Sequence, residues 1–466
     1  MYSLMKEKID VKNINDNGRI HRLLLIILSF GFYIAFFFID GYVLCADSNT
    51  YITMDFSREP LYSIYLAVFR KIFGGQSDFY LLMAVLGQCL LAGYSAYYLV
   101  RTVADEFKVP AYLQYIVLAF PLGASFLCRF AAKRGSMYSN SILTEGLTIS
   151  LYLILICACF KYILHGTKKS FWTSVLLCFL GLSCRKQMIV CLMIFMCGIL
   201  FRHLKNDFLK GIIKCVVAAA IVLVASFLFD KGYNYMVRGE FERHVDDNRF
   251  VATMIFYTAD REFAEYIENE EVRQVFLDVY DLCAEKEYLM NQSPKGWLNE
   301  VSHFGDNYDF IQLDTLCVYL DEHIADLEYR QDIEIDEVRE DLVKSEIIRA
   351  LLPHEVGRII KVIWNNFLSG LVNTVAKRTP ILCLYSAIAY AVYIGLFVFL
   401  CVCKRNKALL TFAGLTMASI VINVGVVSAV IFTQTRYVIY NMPFFYVAGV
   451  LMFYETVQYF RLKNKQ

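Results

Sequence analysis

The sequence predicts an all-α polytopic membrane protein, and three observations carry that prediction. Hydrophobic residues make up 58% of the 466, above the roughly half found in soluble domains. The excess is gathered into runs long enough to cross a bilayer, about ten of them. Basic residues recur in alternate short loops, as the preference of Lys and Arg for the cytoplasmic side requires.

Met1–Asn17 is polar and basic, with Lys6, Lys8 and Lys12. Leu23–Ile39 is the first span. No small-x-small cleavage site follows it, so it reads as an uncleaved helix and not as a signal peptide. Ala46–Tyr62 comes next, ADSNTYITMDFSREPLY, with Asp47, Asp55 and Glu59 beside Arg58. Pro60 opens an amphipathic run, Leu61–Phe73, expected to lie in the membrane interface and closed by Gly74-Gly75.

Further spans are Phe79–Val100, Ala111–Cys128, Ile142–Ile163, Phe171–Ser183, Met188–Phe201 and Ile212–Phe229. Only Cys184–Gln187 separates the short pair Phe171–Ser183 and Met188–Phe201. They read as a hairpin whose tip dips toward the membrane surface. A polar stretch, Asp230–Lys377, then interrupts the pattern and holds most of the chain's 44 acidic residues. Windows such as Glu262–Ala284 and Asp309–Glu328 show apolar residues at helical spacing, and Pro294-Lys295-Gly296-Trp297 marks a turn. A small, mostly helical domain is expected there. Val356–Leu371, with Ile359, Ile360, Ile363, Trp364 and Phe367 read as one side, is expected to lie in the interface. Ile381–Cys403, Leu409–Ile431 and Tyr437–Tyr459 close the chain.

With the N-terminus in the cytoplasm, the inside loops hold Arg101 and Lys108; Lys161, Lys168 and Lys169; Arg202, Lys205 and Lys210; Lys404, Arg405 and Lys407; and Arg461, Lys463 and Lys465. Every inside loop is basic, so both termini are expected in the cytoplasm of a cell whose plasma membrane the chain crosses. The expected division is an N-terminal transmembrane catalytic module, 1–229, whose outer loop 41–77 carries the interfacial helix; an acidic helical extracytoplasmic domain, 230–377; and C-terminal transmembrane helices, 378–466. Arg129, Lys133 and Arg134, then Arg185 and Lys186, then Arg436 fall on the outer face against the trend. Phosphate binding is one reason to place them there, because Arg offers a planar fork of donors. Anionic headgroups or pairing with the loop acids is the other.

The 15 cysteines lie mostly in or beside apolar runs, with no C-x-x-C pair. They read as small membrane-core hydrophobes. Net charge is +1, which gives no signal for a nucleic-acid partner.

Transfer of a sugar from a lipid phosphate needs a base for the acceptor hydroxyl and cations, or a metal, for the departing phosphate. Asp47, the first carboxylate after the first span, is the candidate base; capping of the next turn is its alternative role. Glu145, in SNSILTEGLT, is the second acid, since a carboxylate within a membrane segment is costly and a functional candidate by default. It is free to hold a metal, orient the acceptor, or pair with Arg134 or Arg185.

These residues resemble a family. The DS-x-x-YI…SREPLY stretch looks like the first outer loop of GT-C-fold glycosyltransferases, among them protein O-mannosyltransferases, aminoarabinose lipid A transferases and bacterial polysaccharide-modifying enzymes. LTEGL is similar to their second acidic site, CRKQM to their Arg-containing loop, where Pro more often follows Arg, and TRYVIYNMPFFYV to their closing span. The resemblance covers roughly Leu23–Phe201 and Leu409–Tyr459; the acidic insert matches no domain of the family. It implies a hexosyltransferase-like enzyme that moves sugar from a polyprenyl-phosphate donor to a glycan, lipid or protein outside the cytoplasm. Asp47 would be the catalytic base, supported by Glu145, with Glu59 a third catalytic candidate. Arg134, Arg185, Lys186 and Arg436 would hold the donor phosphate, with Arg58, Lys133 and Tyr437 beside them. Some members bind a divalent metal and others do not, so no cofactor is assigned. A polysaccharide polymerase or ligase, and a lipid-linked sugar transporter or flippase, are the competing classes. Against transport, the polar residues gather on one face and no matching interrupted halves appear.

Overall fold

The computed structural model describes residues 2–133, 135–205, 207–245 and 248–464, with side chains from Arg19 onward except in 131–133. The described residues form helices joined by short turns, with no strand and a single isolated parallel bridge, Val43 to Ser141.

Nine of the described helices are long and apolar enough to cross a membrane: Arg19–Asp40, Phe79–Phe107, Ala111–Phe130, Glu145–His165, Lys186–His203, Phe208–Arg238, Pro380–Val402, Lys407–Val430 and Thr435–Lys463. The chain is therefore a multi-pass membrane protein. The expected span at Phe171–Ser183 is a helix of 17 residues, Lys168–Cys184. At about 1.5 Å per residue it falls short of a roughly 30 Å hydrocarbon core. It packs against Glu145–His165, Ile189–His203 and Phe208–Arg238 and leaves Trp172 and Leu176 exposed on its other side.

Burial ranks the helices from centre to rim. Glu145–His165 and Thr435–Lys463 have 72% of their apolar window buried, against 11% for Pro380–Val402. Gly93 lets the helix Phe79–Phe107 approach the first helix, because a Cβ there would meet the Phe30 Cα at 3.1 Å. Small residues serve membrane helix packing in this way. The three short segments, the hairpin pair and the interfacial run, do form helices; Pro60–Phe73 starts on Pro60, whose fixed φ suits a first helical position.

A second apolar core runs from Ala252 to Val362, separate from the bundle core of Leu25–Val222 and Val375–Met452. Phe256 stacks on Phe276 within it at 5.3 Å. One helix of 40 residues, Asp336–Val375, joins the two cores. The apolar face expected along Val356–Leu371 is divided between the insert core and an open side. Ile359 and Val362 point into the insert core, while Ile360 and Trp364 are exposed. The five apolar positions fall within one arc of about 140°; its Ile359 edge packs into the insert core and its Trp364 edge is open. Val245 N–H donates to the Phe56 carbonyl at 3.2 Å, and Arg238 donates to the Met54 carbonyl, so the insert is tied to the loop around Asp47. Tyr308 lies 5.0 Å from Phe432, beside the segment that carries Arg436.

Candidate functional site

The site is built on buried backbone ties at one end of the bundle. Gln88 is fully buried in the helix Phe79–Phe107. Its amide donates to the Ser139 and Ser141 carbonyls, both at 3.1 Å, and its oxygen accepts from Tyr62 at 2.8 Å. Asn140 donates to the carbonyls of Phe36 and Gly41, at 3.1 and 3.0 Å. Val43 and Ile142 complete the bridge, and Ser48 Oγ donates to the Ile142 carbonyl at 2.8 Å. The segment before Glu145 is thereby stitched to the loop that holds Asp47. In a low-dielectric interior such satisfied networks are rigid, since each unmade bond would be costly.

Asp47 stands at the N-cap of the short helix Ser48–Ile52, but its carboxylate makes no capping hydrogen bond. It pairs instead with Arg58 at 3.1 Å and Arg436 at 3.6 Å. Its side chain is 37% exposed, so it is reachable. Arg58 also donates to Thr50 Oγ1 at 2.8 Å and lies over the Tyr51 ring at 4.9 Å. Burial alone would lower the Arg58 pKa, but Tyr51 and Asp47 outweigh it and hold the guanidinium above its usual range.

Glu145, 3% exposed in its side chain, pairs with Arg185 at 2.5 Å. Arg185 also donates to Thr144 Oγ1 at 3.3 Å. The Tyr437 ring meets two cations, with Arg185 5.2 Å and Arg436 4.7 Å from its centre. Arg436 donates to the Tyr437 hydroxyl and acts electrostatically on Glu145 as well. Glu59 accepts from the Lys186 backbone N–H at 2.7 Å, which latches the hairpin tip to the first loop. Gln187 donates to the Tyr437 carbonyl at 2.7 Å and to Asn423 at 3.2 Å.

Asp47, Arg58, Glu59, Glu145, Arg185, Lys186, Arg436 and Tyr437 are thus one connected cluster, drawn from four stretches of chain. Arg134 lies outside the described residues, and so does the Lys133 side chain. Arg129 has a structural reason for its position: it pairs with Asp40 at the end of the first helix. Asp55 does not join the cluster; its carboxylate accepts from Ser57 N–H and Oγ at 2.9 and 2.6 Å and closes a turn.

The sequence reading missed Gln88, Asn140 and Ser48, which position the site, and Asp309, which the insert brings to it. Asp309 acts on Asp47 and Arg436. Its carboxyl is open to solvent yet crowded by protein, and that crowding raises its pKa against the lowering effect of Arg436. An uncharged amide in a membrane helix was the available signal for Gln88; Asp309 had none among so many insert acids. Among the described residues no group of three His, Cys, Asp or Glu side chains is placed to hold a metal ion. Asp47, Glu59 and Glu145 each turn to a cation or an amide instead of toward a common point. No family model, curated protein or solved structure matches this chain.

Proposed function

We propose that the protein is a membrane glycosyltransferase of the GT-C type, moving a sugar from a polyprenyl-phosphate donor to a glycan, lipid or protein acceptor outside the cytoplasm. The observation that supports this most is the Asp47 carboxylate. It is accessible, unused for capping, and flanked by Arg58 and Arg436. In the ligand-free site the arginines neutralise it. A donor phosphate competes for both guanidiniums, because Arg binds phosphate oxygens in a planar fork. That exchange would leave Asp47 free to take the proton of the acceptor hydroxyl while the cations stabilise the departing phosphate. Arg185, fixed by Glu145, adds a further positive charge to the phosphate side, and the Tyr437 ring lies against both Arg185 and Arg436.

The basic loops Arg101–Lys108, Arg202–Lys210 and Lys404–Lys407 support an orientation with both termini in the cytoplasm and this site outside. The test is incubation of the purified full chain with a series of polyprenyl-phosphate hexoses. Release of sugar, or its transfer to an acceptor glycan, supports an enzyme. Passage of intact donor across a vesicle bilayer without cleavage would instead identify a flippase.

A further inference from the structure

The insert holds a cavity of about 190 Å³ that the cluster described above does not use. It is smaller than the roughly 300–1,000 Å³ pockets that take drug-sized ligands, so it admits one ring-sized unit. Tyr257, Glu300, Phe304, Lys361, Asn365 and Asn366 line it. Tyr257 and Phe304 lie 4.7 Å apart and form an aromatic wall. The Glu300 carboxylate accepts from Lys361 Nζ at 2.9 Å and from Asn365 Nδ2 at 3.0 Å.

Asn366 is the second, independent observation. It is 1% exposed, lines the cavity, and its Nδ2 has no hydrogen-bond partner. A buried amide left unpaired is costly, and each such group calls for a partner. An apolar ligand would leave it orphaned. Lys295 lines the cavity as well, so competition by phosphate is the arm of the test that separates an anion from a neutral ring. A polyhydroxylated ring satisfies every wall: hydroxyls donate to Glu300, accept from Asn366 and Asn365, and the C–H face of the ring covers the aromatics.

The cavity also touches the reaction centre through the backbone. Thr433 Oγ1 donates to the Asn366 carbonyl at 2.9 Å, and Asn373 Nδ2 donates to the Thr433 carbonyl at 2.9 Å. Three residues later the same segment presents Arg436. We propose that this cavity seats one sugar ring of a glycan acceptor. Its role as an acceptor seat rests on the glycosyltransferase reading; its binding of a sugar ring does not.

Binding of a panel of methyl glycosides to the full chain in lipid nanodiscs, followed by saturation-transfer NMR, tests it. At least one glycoside should bind, and Asn366→Leu and Lys361→Met should each weaken it about 5- to 10-fold. Asp47→Asn should bind it as the wild type does. Absence of any glycoside signal at roughly 10 mM would overturn the proposal, as would equal binding by wild type and both cavity variants, or displacement of the glycoside by inorganic phosphate. Glycoside binding by a protein that transfers no sugar would keep the cavity and remove the transferase reading. Transfer without glycoside binding would do the reverse.

Discussion

Asp47 and Asp55 are eight positions apart in one loop, yet only Asp47 faces cations; Asp55 spends its carboxylate on Ser57. Asp55→Asn should therefore cost turnover little, and a transfer assay in which it abolished activity would show that the wrong carboxylate has been singled out. A different acid governs stability. Glu355, in the insert, is fully buried with Thr258 beside its carboxyl, and the neighbouring Arg358 is taken by Asp260. Burial, partly offset by Arg358, pushes its pKa up from 4.5 to about 7. Between those values the folded state holds a proton that the unfolded state has lost, so stability falls as pH rises through this window and stays low above it. Glu355→Gln should remove that slope and stabilise the fold at pH 8 by about 1–3 kcal/mol; the check is the unfolding midpoint at pH 5 and pH 8. An unchanged slope would contradict it. The charged members of the cluster were legible in the sequence because Arg185, Lys186 and Arg436 stand apart from the basic loops that the positive-inside rule groups together. Glu355 was not legible, since nothing local marks which of many acids a long helix will bury.

At the scale of elements, the site depends on helices meeting through polar groups that carry no charge. Gln88 bonds to residues 51 and 53 positions away, and no spacing rule links such positions before the fold is known. Gln88→Leu leaves two carbonyls and a tyrosine hydroxyl without their partner, at about 1–3 kcal/mol for each buried group left unmet. It should lower the thermal midpoint and reduce turnover without touching the cluster. Gly146 reports the same contact, because a Cβ there would lie 2.5 Å from the Gln88 amide oxygen. The hairpin tip is a second junction. Its helices were legible from their apolar runs, and the short length of Lys168–Cys184 was too. The Glu59–Lys186 latch was not, because one partner is a backbone N–H. Glu59→Ala should loosen the tip and weaken donor binding, whereas Glu59→Gln keeps an acceptor and should behave close to wild type; comparing the two donor affinities checks the latch.

At the scale of the molecule, alternating apolar and basic segments were enough to predict a helical, multi-pass membrane protein with a helical insert, because the bilayer restricts what can cross it. How the long helix Asp336–Val375 divides its apolar residues between the insert core and the open side was not readable, since a helix serving two environments has no single apolar stripe. The proposed orientation rests on the basic loops and has its own check. Glu270, whose side chain is 80% exposed, is changed to cysteine and treated with a membrane-impermeant thiol reagent, with the parent chain as control. Labelling of intact cells is expected; labelling only after permeabilisation would invert the topology. The central claim is that Asp47 is the base of a glycosyl transfer. The most direct measurement is transfer from polyprenyl-phosphate hexose by purified wild type and Asp47→Asn, with donor affinity measured separately. Turnover should fall about 10²- to 10⁴-fold with donor affinity near wild type, because the base acts mainly in the transition state; an Asp47→Asn protein that turns over normally would contradict the account.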